Sequence, residues 1–138
     1  FPRRLEWNKW ILWKRWVLNL KKKILLTSLI VISGSLFANE VKVVNVKANC
    51  SVNKICTFNV TLEHQDTDWK HYANKWEIYT PEGKLLAKRT LYHPHVNEQP
   101  FTRSLSGVKI PKGLDKVIVK GHDLVHGYSD DVFVYKFK

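Results

Sequence analysis

The sequence contains no methionine, and only two of its 138 residues are cysteines. So few thiols exclude a disulfide-dense scaffold, an iron–sulfur cluster and a Cys-rich zinc fold. Acids are scarce as well: twelve Asp and Glu stand against twenty-three Lys and Arg, for a formal charge of +11. No apolar run is long enough for a membrane span. The best, Ile24 to Ile32, is broken by Thr27 and Ser28, and even a generous reading of about fifteen residues falls short of the roughly twenty that a bilayer requires. Beyond residue 38 there is little helical periodicity, no internal repeat and no low-complexity tract.

The excess of positive charge is unevenly placed. Residues 1–38 carry eight basic residues and one acid, Glu6, whereas residues 39–138 carry fifteen bases and eleven acids. The later lysines are scattered singly, as on a solubility surface, and do not form a stripe that would track phosphates. Nucleic acid is therefore not an expected partner.

The basic segment reads as an export leader in three parts. Lys21-Lys22-Lys23 is a charged head, Ile24–Ile32 an apolar centre, and Ser33-Gly34-Ser35-Leu36-Phe37-Ala38 a run of mostly small residues with cleavage expected after Ala38. Contact with membrane is then expected only through the leader before cleavage. Ahead of it, Trp7, Trp10, Trp13 and Trp16 recur every third residue among Arg and Lys. Such a pattern suits a membrane-surface segment. A start at Leu20 from a non-AUG leucine codon instead gives a leader of ordinary proportions, with residues 1–19 an over-extended reading frame. The expected organisation is thus residues 1–19 untranslated, 20–38 a signal peptide and 39–138 one mature domain, periplasmic or secreted. In an oxidising compartment Cys50 and Cys56, with five residues between them that include a turn-forming Asn53-Lys54, are expected to pair.

The mature part alternates apolar and polar residues in short runs bounded by turn signals. Strands are expected over 41–47, 57–63, 75–80, 84–91, 101–110, 116–120 and 132–137. Pro81-Glu82-Gly83 and Pro111-Lys112-Gly113 mark tight turns, and 121–131 reads as a loop. Seven strands without room for crossover helices predict an all-β, seven-stranded antiparallel sandwich of immunoglobulin or fibronectin III type. Leu105-Ser106-Gly107-Val108 through Tyr128-Ser129 resembles the closing strands of a fibronectin type III module, a likeness of fold pattern that implies no activity.

Strand direction places the histidines. If consecutive strands run up and down, the cysteine turn lies at one end. The connections bearing His64 and His71, His93 and His95, and His122 and His126 then all lie at the other. Crowded imidazoles suit copper, iron, zinc or nickel. His93-Pro94-His95 has the i, i+2 spacing that puts two side chains on one face of an extended chain, and Glu98 follows as a possible oxygen donor. Asp123 lies between His122 and His126 in a loop that Gly121 and Gly127 leave free to bend. Tyr72 and Trp69 are candidates for a pocket wall, Trp76 for the core, and Glu98–Arg103 for a loop-pinning ion pair. Asp66 and Asp68 form a D-x-D pair, but the glycine and distal glutamate of a calcium loop do not follow. Ser104 and Ser106 have no nucleophile-elbow context.

Trp69-Lys70-His71-Tyr72-Ala73, the run from His93 to Ser104 (HPHVNEQPFTRS) and His126-Gly127-Tyr128 resemble a family of small exported bacterial proteins of unassigned activity. His64…His71-Tyr72…Trp76 and His122…His126-Gly127 are similar in order and position to the iron-binding domain of desulfoferrodoxin and superoxide reductase. That resemblance implies a metal site of related placement. It departs where His122 stands near the position of the family's cysteine ligand, so the thiolate that tunes the family's iron is missing. The expected function is an exported metal-binding protein, holding copper or iron, or else zinc, for binding, carriage or redox sensing. The rival is an adhesion or assembly module whose partner is a cell-envelope protein, with no metal. No general acid–base pair is identifiable beside the histidines, so turnover is the weaker expectation.

Overall fold

The computed structural model describes residues 39–138; the leader reading falls on residues outside that range. Within it every regular element is a strand: β1 (Lys42–Cys50), β2 (Ile55–Glu63), β3 (Ala73–Tyr79), β4 (Leu85–Thr90), β5 (Phe101–Lys109), β6 (Lys116–Asp123), β7 (Gly127–Tyr128) and β8 (Phe133–Lys136). All pairings are antiparallel. One sheet has the order β1-β2-β5; the other runs β4-β3-β6, with β7 and β8 both pairing on the far side of β6.

Alternation decides which side chains lie between the sheets. Phe58, Val60 and Leu62 of β2, Trp76 and Ile78 of β3, and Val117 and Val119 of β6 are fully buried. Tyr135 and Phe137 close on Phe58 edge-on, with ring centroids 6.1 and 6.3 Å away. Burying apolar area at roughly 25 cal/mol per Å² is the main stabilising contribution. Trp76 is a core residue, as its place in an alternating strand predicts.

At one end Cys50 and Cys56, directly opposite in the β1–β2 register, form a disulfide. Beside it the 51–54 turn meets the end of β5, where the Ile110 amide donates to the Lys54 carbonyl at 2.9 Å.

Two differences from the sequence reading bear on the site. The final connection holds an extra two-residue strand, β7, so eight strands are present where seven were expected. Strand β6 also runs three residues beyond the expected 116–120, reaching Asp123. Its alternation therefore passes through His122 and Asp123 and sends them to opposite faces of the sheet.

Candidate metal centre

The site begins with Asp123, the last residue of β6, which continues the inward row of Val117, Val119 and Gly121. A carboxylate placed there must be compensated. Its Oδ1 accepts the amides of Val125 (2.8 Å) and His126 (2.6 Å), a local turn that fixes the carboxylate. The other oxygen, Oδ2, is buried and has no hydrogen-bond donor among the described residues.

Three imidazoles surround this acid. His64, just after β2, has Nε2 3.6 Å from Asp123 Oδ2. His71, just before β3, has Nε2 3.5 Å from Oδ1, and His126, just before β7, has Nδ1 3.3 Å from Oδ1. His71 stands between the other two rings, with centroids 5.0 Å from each. His71 Nε2 is likewise buried and unpartnered among the described residues. One ligand atom each from His64, His71 and Asp123 fall within 4.8 Å of one another. Side-chain exposure orients the cluster: His64 and Asp123 are fully buried, whereas His71 and His126 are 19 % and 27 % exposed and face solvent.

These separations exceed ordinary hydrogen bonds, which close at about 2.7–3.2 Å. They are near the edge of a tetrahedron of ligands around one ion, roughly 3.3–3.4 Å for bonds of 2.0–2.1 Å.

Asp66 supports the cluster from behind. Its Oδ1 lies 2.5 Å from His64 Nδ1 and accepts the Ala73 amide at 2.9 Å; its Oδ2 accepts the His95 amide at 2.7 Å. Engaging Nδ1 in this way leaves Nε2 as the outward nitrogen of His64, the arrangement by which carboxylates commonly orient metal-binding histidines. Gln99 ties the same segments together, accepting the His64 amide at 3.0 Å and donating to the His95 carbonyl at 2.9 Å.

The remaining histidines do not join the cluster. His95 is buried, stacked 3.9 Å from the Phe101 ring, and its Nε2 faces the Arg103 guanidinium at 2.9 Å. A guanidinium only donates, so this nitrogen supplies a lone pair. Burial first, then the charges of Arg103 and His93, push the His95 imidazole below its ordinary value. Its Nδ1 is 3.9 Å from Asp66 Oδ2. His93 is exposed and packs edge-on against His95 at 4.5 Å. Glu98 pairs with Arg103 at 3.2 Å, pinning the loop as expected, and is directed there rather than toward the cluster.

His122 lies on the outer face of its sheet. Its Nδ1 meets Asn74 Oδ1 at 2.6 Å, and its ring packs against Tyr128. Burial and the nearby Lys75 lower its tendency to protonate. Reading 121–131 as loop gave no reason to separate His122 from Asp123; the added residues of β6 do. Tyr72 is half-buried, with its ring edge-on to the exposed Trp69 at 5.9 Å. Asp123, first read as supporting, is central. Asp66 appeared only as a failed calcium motif, and Gln99 carried no signal beyond its place beside Pro100.

The chain is 36 % identical over 102 residues to a protein of Halomicrobium mukohataei described as "Putative lipoprotein". The match takes in 74 % of this chain and 50 % of the relative, so the chain spans about half the length of the curated relative it matches. No protein-family model and no solved structure matches the chain.

Proposed function

We propose that residues 39–138 are an exported metal-binding domain that holds one divalent transition ion through His64, His71 and Asp123, with His126 completing a nitrogen-rich set. The observation that carries this is the pair of buried, unpartnered atoms, His71 Nε2 and Asp123 Oδ2, gathered with His64 Nε2. Leaving such groups bare costs about 1–3 kcal/mol each, and more for a charged one, a cost that a cation offsets.

The donor chemistry narrows the ion. Both cysteines are joined to each other, so imidazole and carboxylate are the donors on offer here. That set suits zinc, ferrous iron or copper(II) over the thiolate-favouring copper(I), and two histidines with one carboxylate is a recurring ferrous-iron arrangement. Binding or carriage fits better than turnover, since Asp66 is occupied in orienting His64 and, among the described residues, no separate acid or base faces the cluster. The strand order β1-β2-β5 opposite β4-β3-β6 supports reading the domain as an immunoglobulin or fibronectin III-like sandwich. The name of the relative and the leader at residues 20–38 support an envelope or secreted location.

Calorimetric titration of residues 39–138 with zinc, with copper(II), and anaerobically with ferrous iron tests the reading. One equivalent bound at micromolar or lower concentration is expected for at least one ion. No stoichiometric binding by any of the three would sink it.

A second reading draws on the surface of the same end. Trp69, Tyr92, Val96, Leu124 and Val125 are all exposed there, as an adhesion or assembly module docking an envelope protein would present them. It predicts that His64→Ala leaves function intact while Trp69→Ala does not.

A further inference from the structure

Asn39, the first described residue, is held against the candidate metal centre. Its carbonyl oxygen is 2.9 Å from Nε2 of His64, the nitrogen that a metal would take. Its side chain clasps the neighbouring main chain at two points: Nδ2 donates to the Gln65 carbonyl at 3.0 Å, and Oδ1 accepts the Gln65 amide at 3.2 Å. The residues that follow are tied down too, since Ser129 Oγ donates to the Val41 carbonyl at 2.5 Å and the Asp130 amide donates to Glu40 at 3.2 Å. Val41 is buried, packed so closely over Gly121 that a Cβ there would collide with it. An open cleft of about 610 Å³ runs beside the clasp, lined by Asn39, Glu63, His64, Gln65, Asp66 and Gln99 among others.

The contact to His64 has a particular chemical form. The carbonyl oxygen faces the same nitrogen that Asp66, by engaging Nδ1, leaves for a metal. A metal at this nitrogen leaves the oxygen facing a cation. Two neighbouring ligands at right angles with bonds near 2.1 Å lie about 3 Å apart, close to the separation already present. A metal about 2.1 Å along the nitrogen's axis would sit almost where the oxygen now lies, so a sideways shift on the order of 2 Å is needed to carry the oxygen to an adjacent ligand position.

We propose that Asn39 is a main-chain ligand of the same metal, through its carbonyl oxygen and, once the leader is cut after Ala38, through its freed α-amino nitrogen. This rests on the metal reading above and adds a ligand that arises from processing. Amine nitrogen and carbonyl oxygen of one residue close a five-membered ring on a metal ion, and a ring tethered beside His64 acts at high effective concentration. Export and loading would then be linked: the chain gains its full ligand set only after the leader is removed.

Residues 39–138 form a compact unit with its own core, so the processed chain is tested directly. Three forms are compared by zinc and copper(II) titration: residues 39–138 with a free amino terminus, the same chain N-acetylated, and residues 38–138. Each carries a single carbonyl-13C label at Asn39, and their thermal midpoints before metal addition confirm a common fold. The free-amine form is expected to bind at least about tenfold more tightly than either blocked form, and the Asn39 carbonyl resonance is expected to move with zinc in all three. Equal affinities together with an unmoved Asn39 resonance would overturn the ligand role while leaving the metal site standing. Absence of binding in every form would remove the metal reading itself.

Discussion

Glu77 and Asp123 are both acids buried in this sandwich, yet their surroundings differ in a way that separates structure from function. Glu77 lies on the outer face of the second sheet, covered by its neighbours. One carboxylate oxygen accepts the Tyr79 hydroxyl; the other meets the Tyr128 hydroxyl and the Lys75 ammonium, both at 3.2 Å. Every oxygen has a donor. Asp123, between the sheets' ends, has one oxygen supplied with two amides and the other with none among the described residues. A satisfied buried carboxylate fixes conformation. An unsatisfied one, ringed by imidazoles, is a place for a cation.

The widest gap between the two acids should appear in metal affinity. Asp123→Asn keeps an oxygen for the amides of Val125 and His126 but removes the charge facing the histidines. Zinc affinity is expected to fall more than about 100-fold, while the thermal midpoint without metal stays within a few degrees of the parent. Glu77→Gln should show the reverse, losing stability and keeping metal. Calorimetry on both variants checks the pair, and equal loss of affinity would erase the distinction.

Next in size is the division among the six histidines. His64→Ala and His71→Ala are expected to weaken zinc binding by about 100-fold, and Asp66→Asn, acting through the His64 ring, by about 10–100-fold. His93→Ala and His122→Ala should change it by no more than about twofold. A His122 effect matching that of His64 would show that the outer face of β6 is part of the site.

That division also shows how far the sequence reaches. The all-β pattern, the Trp76 core position, the Cys50–Cys56 pair and the convergence of His64, His71 and His126 at one end follow from alternation and strand direction. These depend on period and parity, which single residues report. The separation of His122 from Asp123 depended on how far β6 extends past Lys120, and Gly121 made the strand's end look like a loop. Asp66, Gln99 and Asn39 were hidden for a different reason. Asn39 and Gln99 reach His64 across 25 and 35 positions of sequence. Asp66 is only two residues from His64, but its hold on the His95 amide spans 29, and nothing in local spacing announces such partners.

The disulfide gives a smaller effect, confined to the far end. A loop this short restricts the unfolded chain by about 2 kcal/mol. Replacing both cysteines with alanine should lower stability by that amount in urea titrations. Metal affinity should be unchanged, because the histidine loops do not meet the 51–54 turn. A joint loss of stability and affinity would show that the two ends are coupled through the sheets.

The smallest expected effect is the acid dependence of Glu77. Burial by itself raises a carboxyl's pKa, but the Tyr79 hydroxyl, then Lys75 and Tyr128, outweigh it and hold Glu77 below its ordinary value of 4.5. The folded state thus binds this proton more weakly than the unfolded chain, so folding is favoured where the carboxyl is ionised. The contribution is fully present above the unfolded value, near pH 4.5, and is lost as pH falls through the lower folded value. Glu77→Gln should therefore cost about 1–2 kcal/mol at pH 7, and the difference from the parent should shrink as the pH is lowered from 5 toward 3. Denaturant midpoints measured at several pH values on metal-free protein, in a background where Asp123 is already Asn, isolate this carboxylate from the site. A gap that stays constant across that range would mean that Glu77 contributes through packing and not through its charge, and the contrast between the two acids would then rest on Asp123 alone.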